Sequence, residues 1–493
     1  MKPAARLMPA WLESRWFWAI LLVVPYLGFW AYGLTDLDEG FYGAVTVDML
    51  RRGDWLTPTI NGNPWFEKPI LSYWLAMPTV ALFQNEFGAR LPSFLCTMAT
   101  CWVIARFAKI HFGGHTGRLS ALIYATGLLT VAIGRMMMTD AALALCLVVA
   151  FTTFYDSLVS DARLRLVSAA ALGLAVLAKG PVGIVLFFGL IGLFYWRAPH
   201  LRPKFKGQWL IGILILIAVT STWYLPAYLA NGDYFVQKFL IEQNIGRFSG
   251  GDKAHGVPWW AHPIYFPAVI GLSALPWLIP ALRLGLVREK AWRDPSPEGT
   301  ARLYLWLWFL VILGFFSISG TKLVHYILPA LPALAILLAD TLHRRWEEQR
   351  ILILGVAVSI FLCGLSNLVF MNYWRERFAA PQILAADANR LGENFAVFSL
   401  GRKGDDPEIK LQLDDTSHPS VFFYMDRPAL ETASMDELLE QKRPLLVLVR
   451  ERSVEDQWFI ELKQRGVDAE EVRDLGGYVL FRLSDPLPPL DGE

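Results

Sequence analysis

Charged residues are scarce in this sequence, since Asp, Glu, Lys and Arg make up only 18% of its 493 residues. Soluble globular proteins usually carry about a quarter, so the shortage argues against that class. The net charge of +1 at pH 7 gives no sign of a basic nucleic-acid-binding surface. Cysteines are few as well: Cys96, Cys101, Cys146 and Cys363. All four lie in apolar segments without a CxxC spacing, which predicts small core residues rather than a redox or metal site.

Long apolar runs take the place of the missing charge, because 55% of the residues are hydrophobic. The first run, Trp16 to Leu34, has about nineteen residues, enough for a helix to cross ~30 Å of hydrocarbon. It is longer than the apolar core of a cleaved signal peptide, so we expect an uncleaved first transmembrane helix. Ten further runs follow at roughly 92–110, 118–134, 141–159, 165–179, 182–196, 209–229, 263–287, 302–318, 323–343 and 351–371. The sequence therefore predicts an all-α polytopic membrane domain, residues 1–371, with about eleven to thirteen transmembrane helices.

Lys and Arg alternate between the connectors of these helices. The connectors that would be cytoplasmic hold Arg163 and Arg165; Arg197, Arg202, Lys204 and Lys206; Arg288, Lys290, Arg293 and Arg302; and Arg344, Arg345 and Arg350. By the positive-inside rule this pattern predicts a cytoplasmic N-terminus. Two long connectors, 35–91 and 230–262, and everything after about residue 372 then lie outside. Within the first connector, Ile70–Phe83 is too short to span and suits a re-entrant or interfacial helix.

The tail, residues 372–493, alternates short apolar runs with helical patterns. The predicted strands are Phe395–Leu400, Val421–Tyr424, Leu445–Val449 and Tyr478–Leu483. A helix should begin at Ser434, where Glu437 completes a capping box, and another at Ser453. These patterns predict a soluble α/β domain outside the membrane. It carries no catalytic motif, and an auxiliary role is the expectation.

Polar residues from five stretches share the predicted outer face. They are Asp36, Asp38, Glu39, Glu67 and Lys68; Arg135, Thr139 and Asp140; Lys179; Arg247, Asp252 and His255; and Lys322, His325 and Tyr326. Adjacent carboxylates just beyond a membrane helix are costly to bury and need partners or a task. The clustering is typical of an active site at a bilayer surface, and we count Asp38, Glu39 and Asp140 as catalytic candidates.

The residue types suit transfer of a sugar from a polyprenyl phosphate carrier. The departing phosphate gains negative charge in the transition state, which preorganised cations stabilise. Lys68, Arg247 and Lys322 are the candidate cations, and Tyr326 could donate a hydrogen bond. Asp38 could accept a proton from an attacking hydroxyl, or position an acceptor that is already ionised.

The sequence resembles bacterial GT-C glycosyltransferases related to lipid A aminoarabinose transferase and the protein O-mannosyltransferases. The motifs that carry the resemblance are DEGFY…GDWLTPTINGNPWFEKPILSYWL…NEFGARLPS, MTDAAL, LAKGPVG, NIGRF…H…PWW and KLVHYILP, within about residues 16–335. The resemblance implies an inverting transfer from an undecaprenyl phosphate sugar on the periplasmic face of the bacterial inner membrane. The acceptor would be lipid A, a related glycolipid or a protein.

The resemblance also implies roles for single residues. Asp38 matches the family's key carboxylate, and Asp140 matches its second acidic position. Lys68 and Tyr326 match residues associated with the carrier phosphate.

Glu67 and His255 match positions where some relatives hold a divalent metal, which would be zinc, magnesium or manganese. Two departures concern the acceptor and the motif itself: Phe41 stands where relatives often have Arg, and Ile70 replaces a second Pro after Lys68.

Two further classes of function compete with the enzyme. A transporter or flippase would place ionisable residues at mid-membrane, often in broken helices with an internal repeat. Asp and Glu are nearly absent from the helix centres, and no half-to-half repeat is visible. A non-catalytic assembly protein, binding a partner through its tail, is the other alternative.

Overall fold

The computed structural model describes residues 15–35, 38–202, 208–246, 257–286, 294–345, 348–369, 375–398, 419–432, 434–450 and 459–484. The chain forms two compact units. The helical unit comprises Met1–Phe29, Phe66–Thr79 and Arg90–Asn367. The loop-and-tail unit comprises Trp30–Trp65, Val80–Ala89 and Leu368–Glu493. Of the predicted outer connector 35–91, residues up to Trp65 and Val80–Ala89 thus cluster with the tail, whereas Phe66–Thr79 belongs to the helical unit.

Fourteen of the described helices lie before residue 370. They are α1 Arg15–Val23, α2 Asp38–Arg52, α3 Leu71–Phe83, α4 Glu86–Phe112, α5 Gly114–Ala125, α6 Leu128–Gly134, α7 Thr139–Val159, α8 Leu164–Lys179, α9 Val182–Arg197, α10 Gln208–Phe235, α11 His262–Arg283, α12 Pro297–Ile318, α13 Leu331–Arg345 and α14 Glu348–Leu368. A 3-10 segment, Val324–Ala330, leads into α13. Each of the eleven predicted apolar runs overlaps at least one of these helices.

Six described helices are long and apolar enough to cross a membrane, and a seventh span is possible if the bent pair α5 and α6 counts as one. The bend between α5 and α6 is 68°. Among the shorter apolar helices are α3, α9 and Ile353–Leu368. The polytopic helical fold is confirmed, whereas the count of eleven stays a prediction. The helix predicted at Ile70–Phe83 is present as α3, with 13 residues.

The tight hairpin between α8 and α9 fixes the end of α8. Gly180 follows Lys179 with φ +86°, a left-handed conformation that glycine adopts without steric cost. Pro181 comes next and cannot continue the helix of Lys179. Lys179 therefore ends its helix at a defined place.

The loop-and-tail unit contains α2, the short hairpin β1 Thr59–Ile60 and β2 Asn63–Pro64, and a five-stranded sheet. The strands are β3 Asn394–Phe398, β4 Leu430–Thr432, β5 Leu445–Arg450, β6 Asp468–Leu475 and β7 Tyr478–Ser484. Their order is β4-β3-β5-β7-β6. Strand β3 runs parallel to β4 and β5, and β7 runs antiparallel to β5 and β6. The helices of the tail are α15 Arg375–Leu391, α16 Pro419–Tyr424, α17 Met435–Leu439 and α18 Phe459–Gln464.

Three of the four predicted strands are confirmed, as β3, β5 and β7. The strand predicted at Val421–Tyr424 is wrong, because this stretch forms helix α16. An apolar run of four residues is too short for its periodicity to distinguish a strand from a helix. Pro419 also supplies a favourable first helical residue.

The cap predicted at Ser434 is confirmed, since its side chain accepts a hydrogen bond from the Glu437 N–H at 3.3 Å. The Glu437 carboxylate instead accepts from the Thr432 hydroxyl at 2.6 Å. The start predicted at Ser453 lies outside the described residues.

Candidate functional site

A largely buried ion pair joins two helices of the helical unit. Asp140 is the second residue of α7, and its side chain is 1% exposed. Its Oδ1 accepts a hydrogen bond from Lys179 Nζ at 2.5 Å. Because Asp140 lies in the first turn of a helix, the unpaired N–H groups there also favour its negative charge. The LAKGPVG and MTDAAL motifs thus meet in a single contact.

Two residues of the KLVHYILP motif complete this cluster. The Nε2 atom of His325 lies 3.9 Å from Asp140 Oδ2. The Lys179 ammonium lies 4.5 Å from the centre of the Tyr326 ring, a distance at which a cation is attracted to the ring face. Tyr326 is therefore held by the charged pair, with its ring also in contact with His325.

Lys68 brings the FEKP motif to the same cluster. Its ammonium interacts electrostatically with Asp140, and its side chain is half-buried. We call the group Asp140, Lys179, His325, Tyr326 and Lys68 the cationic cluster. Two ammonium groups and an imidazole around one carboxylate can recognise an anion such as a phosphate.

The carrier-binding role predicted for Lys322 requires a correction, because the Lys322 ammonium already donates to three backbone carbonyls. The Lys322 side chain is 3% exposed, and Nζ donates to the carbonyls of Phe316, Ser317 and Ser319 at 3.2, 3.0 and 2.5 Å. An ammonium has three donors, so none remains for a carrier phosphate. Lys322 caps the C-terminal end of α12, where cations are favoured.

Arg135, which the sequence groups with the outer polar residues, is fully buried. Its guanidinium donates to the carbonyls of Pro25 and Leu27 at 3.1 and 2.8 Å and to Asn367 Oδ1 at 3.2 Å. These bonds satisfy backbone groups in the turn after α1, and the role of Arg135 is to hold that turn.

Asp38 and Glu39 lie in the loop-and-tail unit, at the start of α2. Asp38 is exposed and is the first residue of the helix. Glu39 is buried, and its Oε2 accepts from the Thr35 N–H at 2.8 Å and from the Thr35 hydroxyl at 2.9 Å. The catalytic assignment of Glu39 is corrected, because its carboxylate fixes the start of the helix.

Phe41 lies one turn beyond Asp38 and stacks on Trp65, with ring centres 4.7 Å apart and planes at 18°. An aromatic pair thus occupies the position where the resemblance leads us to expect a guanidinium.

Arg247, Asp252 and His255 lie outside the described residues. Within the described ranges no group of three His, Cys, Asp or Glu side chains could hold a metal ion. The metal predicted at Glu67 and His255 therefore stays a prediction, as does the meeting of Asp38 with the cationic cluster.

Sequence reasoning missed Lys179 and His325 as site residues. Both stood among the outer polar residues, but Lys179 also fits a lysine that snorkels at a helix end. The signal available was the position of Lys179 beside Gly180 and Pro181, on the same predicted face as Asp140.

The comparisons with known proteins agree with this fold. Residues 67–225 match the model of the family described as dolichyl-phosphate-mannose-protein mannosyltransferase. An uncharacterised protein of Aquifex aeolicus is 34% identical over 340 residues, which cover 69% of this chain and 75% of that protein. Undecaprenyl phosphate-alpha-4-amino-4-deoxy-L-arabinose arabinosyl transferase 1 of Pseudomonas fluorescens is 32% identical, over 68% of this chain and 59% of its own length.

The crystal structure of ArnT from Cupriavidus metallidurans bound to undecaprenyl phosphate has the same fold. Its TM-score is 0.77 at 19% identity, with 98% of this chain and 99% of that chain covered. The candidate membrane spans, the fold and the relatives together define a polytopic membrane protein of GT-C type. This chain belongs to the glycosyltransferase family related to the aminoarabinose transferases and the protein mannosyltransferases. It spans only 59% and 57% of the length of two named transferases that it matches.

Proposed function

We propose that the chain is an inverting glycosyltransferase that moves a sugar from an undecaprenyl phosphate carrier to a glycolipid acceptor such as lipid A. The observation that carries the proposal is the buried Asp140–Lys179 pair, with Tyr326 and Lys68 beside it. A charged cluster of this kind is costly to bury, and a phosphate-bearing substrate gives it a task.

In the proposed reaction the acceptor oxygen forms a bond to the anomeric carbon as the bond from that carbon to the carrier phosphate oxygen breaks. The electron pair of the broken bond stays on the phosphate. Lys68 and the Tyr326 hydroxyl stabilise that growing charge, and Arg247 is a further candidate for the same role. Asp140 acts indirectly, because it holds Lys179 against the Tyr326 ring.

Asp38 serves the acceptor. With a hydroxyl acceptor the Asp38 carboxylate takes the proton released on attack. With an ionised phosphate acceptor no proton is released, and Asp38 positions the acceptor instead. Its place at the exposed start of α2 leaves the carboxylate accessible.

The reaction takes place on the periplasmic face of the bacterial inner membrane in this proposal. Its support is the alternation of Lys and Arg among the connectors, which also puts the tail on that side. A divalent metal at Glu67 and His255 is part of the proposal. Inhibition by a chelator, reversed by zinc, magnesium or manganese, would test it.

The test uses the full chain in proteoliposomes, with an undecaprenyl phosphate-linked aminoarabinose donor and lipid A. We expect Asp38→Asn and Lys68→Ala to fold and insert but to transfer no sugar. Lys238→Ala is the matched control, because Lys238 forms an ion pair with Glu242 in which each side chain is 36% exposed. Retained transfer by both site variants would refute the assigned roles.

Protein mannosylation is the second candidate, and the family-model match over residues 67–225 favours it. Mass spectrometry of lipid A and of glycoproteins, from cells with and without the gene, separates the two. A mass change on lipid A alone supports the first candidate, and a hexose lost from proteins alone supports the second.

A further inference from the structure

One tail hydroxyl joins three distant segments of the loop-and-tail unit. The Tyr424 hydroxyl, at the end of α16, accepts a hydrogen bond from the Leu34 N–H at 2.8 Å. It donates to Glu86 Oε1, also at 2.8 Å. Leu34 and Glu86 are both buried, so both hydrogen bonds replace contacts with water that the folded chain cannot make.

The neighbouring packing leaves α2 little freedom to move against α16. A Cβ atom on Gly43 of α2 would lie 2.6 Å from Leu34 Cδ1 and 3.1 Å from Phe423 Cδ2. The glycine therefore permits a close approach of the two helices. At the other end of α2, the Arg51 guanidinium donates to the Met425 carbonyl.

A pair of hydrogen bonds between Asn61 and Ala429 also joins the outer loop to the tail. The Ala429 N–H donates to Asn61 Oδ1 at 3.0 Å, and the Asn61 amide donates to the Ala429 carbonyl. Ala429 directly precedes β4, the edge strand of the sheet. The tail thus holds the outer loop on both sides of α2.

We propose that Tyr424 is a positioning residue that fixes the start of α2 and with it Asp38. Leu34 is adjacent to Thr35, whose N–H and hydroxyl donate to the Glu39 carboxylate at the start of α2. By accepting from the Leu34 N–H, the Tyr424 hydroxyl therefore holds the residues that precede this helix in place. This inference rests on the proposed function for its catalytic part. It also gives the tail a task in place of the auxiliary role expected from the sequence.

The chain offers a matched control for Tyr424→Phe. The Thr432 hydroxyl likewise donates to a carboxylate, Glu437, at 2.6 Å and accepts from a backbone N–H, that of Ser434, at 3.0 Å. These contacts lie within the tail and do not involve the outer loop. Thr432→Val therefore removes the same two kinds of hydrogen bond without touching α2.

The experiment combines hydrogen exchange with transfer kinetics, again in the full chain with undecaprenyl phosphate-linked aminoarabinose and lipid A. In Tyr424→Phe we expect faster exchange of the Leu34 amide and of the Gly40 amide, which donates to the Thr35 carbonyl at 3.0 Å. We also expect kcat to fall about tenfold and the KM for the donor to change little. Thr432→Val should leave all three unchanged. Glu86→Gln, which keeps an acceptor for the hydroxyl, should retain more activity than Glu86→Met.

Three results overturn the proposal. They are unchanged exchange in Tyr424→Phe, accelerated exchange with wild-type kcat, and an equal fall of kcat in Thr432→Val. If Tyr424→Phe does not fold, the Glu86 pair decides: equal activity and equal exchange in both Glu86 variants contradict the proposal. If the wild-type chain transfers no sugar, the proposed function fails, and if Asp38→Asn transfers sugar, the role assigned to Asp38 fails. In both cases exchange at Leu34 still decides whether Tyr424 fixes the helix.

Discussion

Removing the Lys179 ammonium should expose the energetic role of the buried pair. Lys179→Met leaves Asp140 with a 1% exposed carboxylate and without its 2.5 Å partner. Loss of one partner of a buried pair costs about 3–5 kcal/mol. His325 at 3.9 Å and the helix N-terminus still favour the charge, so we expect the low end, about 3 kcal/mol.

The measurement is thermal or denaturant unfolding of the detergent-solubilised chain, with sugar transfer assayed in parallel. Lys238→Met is the control, because Lys238 and Glu242 are each 36% exposed and such a pair contributes only about 0–1 kcal/mol. We expect Lys179→Met to lose transfer and stability together. Equal destabilisation by the two variants, or wild-type transfer in Lys179→Met, would refute the reasoning.

A double variant separates the two effects. Adding Asp140→Asn to Lys179→Met removes the uncompensated carboxylate, so most of the lost stability should return. Transfer should not return, because Tyr326 still lacks the cation above its ring. Recovery of both would mean that the pair serves stability alone.

Two further predictions concern single buried charges. Burial raises the pKa of Glu431 to about 7, above the unfolded value, so the tail should lose stability as pH rises from about 4.5 to about 7, by about 3 kcal/mol in all. Glu431→Gln should abolish that dependence, as read by hydrogen exchange in β3 and β5; an unchanged pH profile would contradict it. Lys322→Met should lower the stability of the chain by about 1–3 kcal/mol through loss of the α12 cap, while undecaprenyl phosphate binding stays unchanged. Burial also lowers the pKa of Lys322. As the pH is raised, the Lys322 ammonium should therefore lose its proton, and the cap should weaken, at a lower pH than that at which a free lysine deprotonates. Weakened carrier binding in Lys322→Met would restore its original assignment.

The helices could be predicted from the sequence because a helix in a bilayer needs a long apolar run, and such runs are visible without tertiary information. The cap at Ser434 could be predicted for a similar reason, since its partners lie within three residues. Val421–Tyr424 could not, because its helical form depends on packing in the loop-and-tail unit.

The candidate site could likewise be predicted only in part from the sequence. Residue types identified Asp140, Lys68 and Tyr326 as candidates, but not which cation each carboxylate meets. Lys179 pairs with a residue 39 positions away, and Lys322 donates to carbonyls at the end of the preceding helix, α12. Both are lysines at helix ends, and only the three-dimensional contacts distinguish them.

The tail contacts were beyond sequence reasoning altogether. Tyr424 and Leu34 are 390 residues apart, and neither carries a motif. A contact of this kind follows from the fold of the whole unit rather than from any local pattern.

The central claim is that the cationic cluster binds the phosphate of a polyprenyl carrier, and binding of undecaprenyl phosphate to the purified chain tests it most directly. We expect saturable binding to the wild-type chain, weakened about tenfold or more in Lys68→Ala, as loss of a charge-assisted contact implies. Lys238→Ala should bind like the wild type. Equal affinity in all three proteins would contradict the account.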